Sequence, residues 1–291
     1  MQYHIRHATT YRYPQPVKLA AHTVRLRPRS DGSQQLQQFA MTIAPTPSKR
    51  SEFLDIEGNI CLRLWFEDVE VSELQVQTEA TVQTWRTNPF DYLSEPWAVT
   101  APIAYPQAIA THLAPYLRPI FSTAWHPQVV DLAQTLLHDA QGNVGFFLSK
   151  LTQTIYEEFD YAHRLEGDPL PAGITLRQQS GSCRDFAVLF AEACQAVSLA
   201  ARFVSGYQEG DQEGDQDQTT RELHAWPEVY IPGGGWRGFD PTLGLAVGDR
   251  HVALAAAAHP QNAAPVSGQL QPGYFGQSTL EYEIQMARST G

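Results

Sequence analysis

Along the first 90 residues apolar and polar positions alternate. Tyr3, Ile5, Thr9, Tyr11 and Tyr13 are interleaved with His4, Arg6, Thr10 and Arg12, the period-two pattern of half-buried strands. Further strands are predicted over 21–26, 38–43, 60–66 and 69–84, with Pro14, Pro16, Asp31-Gly32, Pro45, Pro47 and Gly58-Asn59 marking turns. The pattern reads as a small antiparallel sandwich. Residues 87–127 are rich in proline and aromatic side chains and predict a connection with short helices. A boundary near residue 95 therefore divides a β-rich N-terminal domain, 1–95, from a second unit, 96–291.

Beyond residue 127 the period changes. Val129, Leu132, Ala133, Leu136 and Leu137 recur at helical spacing, and Phe146, Phe147, Leu151, Ile155 and Tyr156 do so again. The clearest helix follows Ser182, which suits an N-cap, with Asp185 at N3 in a near capping box. Phe186, Leu189, Phe190, Ala193 and Val197 then step by three and four, so one face is expected to be buried. Cys183 lies in the first turn, at the head of that stripe. Strands come next, over 202–207 and 223–231, then 236–240 after the turn at Gly233, Gly234 and Gly235, and finally 279–286, which alternates as TLEYEIQM. Helices followed by antiparallel strands make the class α+β.

A length of 291 residues favours two modest units over one core. The formal net charge of -11 repels phosphate backbones and anionic lipid, so neither nucleic acid nor a membrane is an expected partner. Part of that charge is local. Glu209, Asp211, Glu213, Asp215 and Asp217 crowd a segment in which EGDQ occurs twice. Asp211, Glu213, Asp215, Asp217 and Glu222 have the spacing of a calcium loop, but Gln216 stands where such a loop needs glycine and strands flank it, which favours a solvated hairpin loop. No apolar run follows MQYHIRHATTYRYP and none approaches membrane-spanning length, so the expected compartment is the cytoplasm, with reduced thiols.

Candidate chemistry centres on three cysteines. Cys194, in mid-helix, and Cys61, in a strand, read as small buried hydrophobes. On one helix Cys183 and Cys194 would lie roughly 16 Å apart, too far for a disulfide. Neither a CxxC pair nor HExxH occurs, so no metal or cofactor is expected. Cys183 differs from the others in position. At a helix N-terminus the unpaired amides and dipole favour a thiolate and can bind an oxyanion, and Gly181 leaves the preceding turn open to another backbone or a substrate. His224 shares a strand face with Trp226, Glu228 and Tyr230. Asp240, extended before Pro241, ends the next strand and returns toward His224 through a bulge or long loop, an irregularity or sheet edge that Pro227 suits. Cysteine, histidine and aspartate supply a nucleophile, a proton shuttle and an orienting carboxylate. On spacing alone, a structural thiol at Cys183 stays open.

The segments GSCRDFAVLFAEACQAVSLAARFVSGY, HAWPEVYIPGGGWRGFDPT and DRHVALA resemble the bacterial branch of the transglutaminase-like superfamily. HIRHATTYRYPQPVKLAAHTVRLRPR, followed by DIEGN, resembles the β-rich region that precedes this core in bacterial members, so the resemblance covers nearly the whole chain. It implies a papain-like core of helices packed on an antiparallel sheet, with a catalytic triad on Cys183, His224 and Asp240. It also implies acyl chemistry on a protein or peptide substrate through a thioester. Hydrolysis, as a protease or amidase, is the expected outcome; crosslinking of glutamine to a primary amine and a non-catalytic protein-binding scaffold remain alternatives. Asp249 and His251 match the DRH motif and are expected to tie the last loop structurally. Tyr161 lines the cleft, supports the oxyanion or, the favoured reading, sits in the core; Trp226 and Trp236 either meet an acyl substrate or pack on the cysteine helix, and His163 is assigned no role. Three features depart from the family pattern: Pro227 in place of a small residue, AAAHPQN over 256–262 in place of a Gly-Arg-Asp-Tyr-like segment, and the inserted EGDQ loop. The latter two bear on the substrate cleft and leave the triad intact.

Overall fold

One long strand, β1 (Gln2–Val24), opens the chain in the computed structural model, which describes residues 1–164, 166–210 and 223–289. Pro14 and Pro16, expected to mark turns, lie within it. Proline's fixed φ suits extended backbone, and what it removes is a ladder N–H. Accordingly the pairing of β1 with a neighbour breaks between Arg12 and Val17 and then resumes. Strands β2 (Gln34–Ala44), β3 (Lys49–Leu54), β4 (Ile60–Trp65) and β5 (Glu70–Thr84) complete an antiparallel order β2-β5-β1-β4-β3. Every residue of β3 is exposed, so it has no buried alternation to betray it; pairing with β4 alone holds it at the edge.

The helical half comprises α1 (Gln107–Leu113), α2 (Pro127–Asp139) and α3 (Val144–Glu158), then a two-residue strand β6 (Asp160–Tyr161). It continues through α4 (Ala172–Gln178), β7 (Ser180–Gly181), which pairs in parallel with β6, and α5 (Cys183–Ala196). A second antiparallel sheet follows, in the order β11-β10-β9-β8-β12, built from β8 (Ala201–Gln208), β9 (His224–Ile231), β10 (Gly235–Asp240), β11 (Leu245–Ala246) and β12 (His251–Ala257). Helix α5 packs against β8 and β9 and also against α2, α3 and α4. It is consequently buried all round from Asp185 to Gln195, not on one stripe as its pattern predicts. The polar residues this encloses are tied to the backbone: Glu192 Oε1 accepts the Ile120 amide at 3.1 Å and Gln195 Nε2 donates to the Ala201 carbonyl at 3.2 Å. Burial of side chains such as Phe186 and Phe190 stabilises this packing by roughly 1.5–3 kcal/mol each.

The last strands, β13 (Val266–Leu270) and β14 (Thr279–Arg288), return to the beginning of the chain. β14 pairs antiparallel with β1 from Tyr3 to Arg12, and β13 pairs with it from Leu19 to Val24. Residues late in the sequence thus complete the N-terminal sheet. The two sheets share a buried cluster in which Tyr3, Ile5, Val76, Val82 and Ile284 of the first meet Tyr207, Val252 and Leu254 of the second. Among the described residues no helix is long and apolar enough to cross a membrane. The calcium-like spacing from Asp211 to Glu222 falls outside the described residues.

Candidate active site

Helix α5 begins at Cys183 because Ser182 is extended (φ -84°, ψ 173°) and Asp185 caps it. Asp185 Oδ2 accepts both the Ser182 amide and the Ser182 hydroxyl at 2.8 Å. Its Oδ1 accepts the Leu170 amide at 2.7 Å and Arg164 Nη2 at 2.6 Å. Burial alone would raise this carboxyl, but these donors and the guanidinium hold it below the usual carboxylate range. One side chain therefore fixes both the start of the cysteine helix and the neighbouring loop. Glycine at 181 follows from the same cap, since a Cβ there would meet Asp185 Cβ at 2.8 Å and Phe186 at 3.3 Å. The space expected to admit a substrate is filled by the protein's own side chains.

His224 opens β9 and Asp240 closes β10. These strands pair from Gly235 and Ile231 to Gly238 and Glu228, and the ladder stops one residue short of Pro227. Pro227 marks an irregularity and not an edge, because β9 lies between β8 and β10 and Pro227 itself stands opposite Phe203. Past that point β10 turns to β11, with Phe239 opposite Ala246 and Asp240 opposite Leu245. The splayed strand ends give His224 room to reach Asp240, Nε2 to Oδ2, at 2.7 Å. Cys183 and His224 line the same cavity, and the nearby sulfur helps to raise the imidazole's pKa. With Nε2 occupied by Asp240, Nδ1 is the nitrogen left for the sulfur.

Asp240 is completely buried and meets four donors. The Thr242 and Leu243 amides reach Oδ1 at 3.0 and 3.3 Å, and His251 Nε2 joins His224 at Oδ2, at 3.0 Å. Burial opposes its ionisation, but the charge and hydrogen bond of His224, with the bond from His251, drive it far below the carboxylate range. For His224 burial acts to lower the pKa, yet Asp240 and then Cys183 outweigh it and push the imidazole up to about 10. His251 goes the other way, since burial outweighs Asp240 and lowers it. A charged imidazole therefore faces the sulfur, and a neutral one sits behind the carboxylate.

His251 was expected to tie a loop; it instead completes the surroundings of Asp240. The available signal was a lone histidine heading the apolar run VALAAA, because a buried imidazole in such a strand needs a polar partner. Asp249 does join the last loop to the N-terminal sheet, through its carbonyl, which accepts Thr84 Oγ1 at 2.7 Å. Trp226 is buried edge-on against His251 at 5.2 Å, so it packs the site from behind. Trp236 lies under Arg202 at 4.1 Å and against Tyr116 and Tyr230, away from Cys183. Tyr161 is 48% exposed and lines the cleft. Ligand atoms of His224, Asp240 and His251 lie within 4.8 Å of one another, spacing that suits a metal. Here those atoms bond to each other, both Nε2 atoms meeting one carboxylate oxygen.

A cavity of about 330 Å³ opens over Cys183 and His224. Its walls come from Arg164 and residues 166–169, from β8 and the 260–265 segment, and from the face of the N-terminal sheet made by β1 and β14.

Comparison with known families matches two descriptions to this chain: a bacterial transglutaminase-like N-terminal region over residues 3–83, and the transglutaminase-like superfamily over residues 131–241. Uncharacterized proteins of Mycobacterium tuberculosis and Mycobacterium bovis are each 27% identical over 283 residues, spanning 92% of this chain and 87% of the relative. The crystal structure of a candidate cysteine protease from Cytophaga hutchinsonii has the same fold. It superposes with a TM-score of 0.72 at 22% identity, covering 99% of this chain and 90% of that one.

Proposed function

The chain belongs to the transglutaminase-like superfamily, in its bacterial branch, and on that premise we propose that it is a cysteine-dependent enzyme acting on peptide or protein amides through a thioester on Cys183. The observation that carries this reading is a single imidazole, His224, which shares a cavity with Cys183 on one side and is hydrogen-bonded to a buried carboxylate on the other. The Cys183 thiolate attacks the amide carbonyl carbon, and the oxyanion forms beside the positive N-terminal end of α5. The carbon–nitrogen bond then breaks as His224 gives its proton to the leaving amine. In the second half, water passes a proton to His224 and adds to the thioester carbonyl, and the carbon–sulfur bond breaks to release the carboxylate. Asp240 keeps the imidazole oriented and stabilises its charged form throughout. His251 is a positioning residue, holding Asp240 without touching substrate. Hydrolysis is the preferred outcome because water needs no binding site beyond the cleft.

The test is mass spectrometry of the protein incubated with glutamine-containing peptides and a primary amine, with EDTA present. Cleaved or deamidated peptides, absent with Cys183→Ala, are the expected result. Amine adducts in place of hydrolysis would make it a crosslinking enzyme. Unchanged peptides, together with a Cys183 no more reactive toward iodoacetamide than Cys194, would leave only the scaffold reading.

A further inference from the structure

The alternation along β14 has two parts. Ile284 and Met286 lie in the buried cluster with Tyr3 and Ile5. The same face carries two more apolar residues, Leu280 and Tyr282, which stand opposite Tyr11 and Thr9 of β1. These four line the cleft over Cys183. The opposite face of the two strands is charged, with Arg12 paired to Glu73 and Glu281. Tyr282 still packs against the shared core, and from there the apolar stripe continues into the cavity beside Cys183.

Across the cleft stand Phe203, buried, and Tyr161, exposed. The charged side chains around it are committed to bracing its walls. Arg164 is bonded to Asp185, Glu166 Oε1 accepts the Leu280 amide at 2.7 Å, and Asp168 Oδ2 accepts Gln261 Nε2 at 3.3 Å. Arg184 donates to the Arg164 and Glu166 carbonyls. A charged substrate side chain would have to compete with these bonds, whereas an apolar one leaves them intact. The volume, about 330 Å³, sits at the low end of small-ligand pockets (roughly 300–1,000 Å³), which suits one or two side chains and excludes a folded surface.

We infer that the N-terminal sheet is part of the substrate site: Tyr11, Leu280 and Tyr282 form one wall of a subsite for a bulky uncharged apolar side chain, aromatic or branched aliphatic, on the acyl side of the attacked amide. This rests on the reading of Cys183 as the nucleophile. The substrate is then a flexible segment or short peptide presenting such a residue, and its selection belongs to the β-rich domain as much as to the core.

The experiment uses the full chain and acetyl-aminoacyl vinyl sulfones bearing Phe, Leu, Gln, Lys or Glu. The thiol adds across the carbon–carbon double bond, the proton going to the carbon beside the sulfone, and adduct at Cys183 is read by intact mass. Iodoacetamide, which needs no subsite, is run alongside. The Phe and Leu reagents should react at least about tenfold faster than the Lys and Glu reagents, the scale on which apolar pockets discriminate. In Tyr11→Ala and Tyr282→Ala the ratio of the Phe rate to the iodoacetamide rate should fall at least about fivefold. A flat series across the five reagents in the wild-type protein would overturn the subsite while leaving the nucleophile standing, as would tyrosine variants that keep the wild-type ratio. Cys183 slower than Cys194 toward every reagent would overturn both readings.

Discussion

Asp240 receives four hydrogen bonds from two amides and two imidazoles, so its replacement separates charge from packing. Asp240→Asn should fold yet lower kcat by roughly 10³–10⁴-fold, because an amide selects the wrong imidazole tautomer; a loss below tenfold would remove Asp240 from the proposed mechanism. His251→Ala takes one donor from the carboxylate, whose pKa should rise toward the ordinary range. The acid limb of kcat against pH should therefore move upward, and His251→Gln, which keeps an N–H donor, should restore it. His224 also leaves a signature in stability. Folding raises its pKa from 6.5 to about 10, so its contribution is complete below about 6.5 and is lost as pH climbs toward 10. Asp240 is depressed, so its contribution is present at neutral pH and lost on acidification. Unfolding of the wild type between pH 7 and 9.5 should lose up to about 1.4 kcal/mol per pH unit more than Asp240→Asn, measured by denaturant titration; equal slopes would contradict the raised imidazole. The approach of His224 to Asp240 was legible because the turn at Gly233–Gly235 folds one strand back on the other, whereas the role of Cys183 was legible only as what the family resemblance implies. His251 was not, because its partner lies on another strand and no local spacing records that pairing.

Between residues and the whole stand three elements, α5, β9 and β10, whose termini build the site. Helix α5 depends on Gly181, where alanine would place a methyl 2.8 Å from Asp185 Cβ. Gly181→Ala should cost about 1–3 kcal/mol, read from the urea midpoint, and should slow Cys183 alkylation as the cap shifts. An unchanged midpoint would mean that the cap tolerates a side chain. The helix itself was legible from its cap and stripe, but its complete burial was not, because a stripe records one contact face and α2, α3 and α4 add others. Strand β3 shows the opposite limit: an edge strand exposed along its length has no periodicity to read. Prolines in β1 misled for a third reason, since they interrupt pairing without turning the chain.

At the scale of the molecule, β1 is where the two halves meet. It pairs with β5 on one side and β14 on the other, and its face continues from the shared core into the cleft. The α+β class and the helices-then-strands order were legible from periodicity; the return of β13 and β14 to the first sheet was not, because long-range strand pairing leaves no local mark. Deleting residues 279–289 should open the edge of β1 from Tyr3 to Arg12, an invitation to aggregation, and should abolish the preference among vinyl sulfones even where soluble protein survives. Retained preference, measured by intact mass, would mean that β14 is not a wall of the site. The position of β14 also has a meaning in time. Translation delivers the cysteine helix well before the strand that finishes the cleft beside it. A ribosome-stalled chain ending after β13 should therefore expose a thiol open to iodoacetamide while lacking selectivity among peptides, so a newly made molecule gains its choice of substrate only once β14 has emerged.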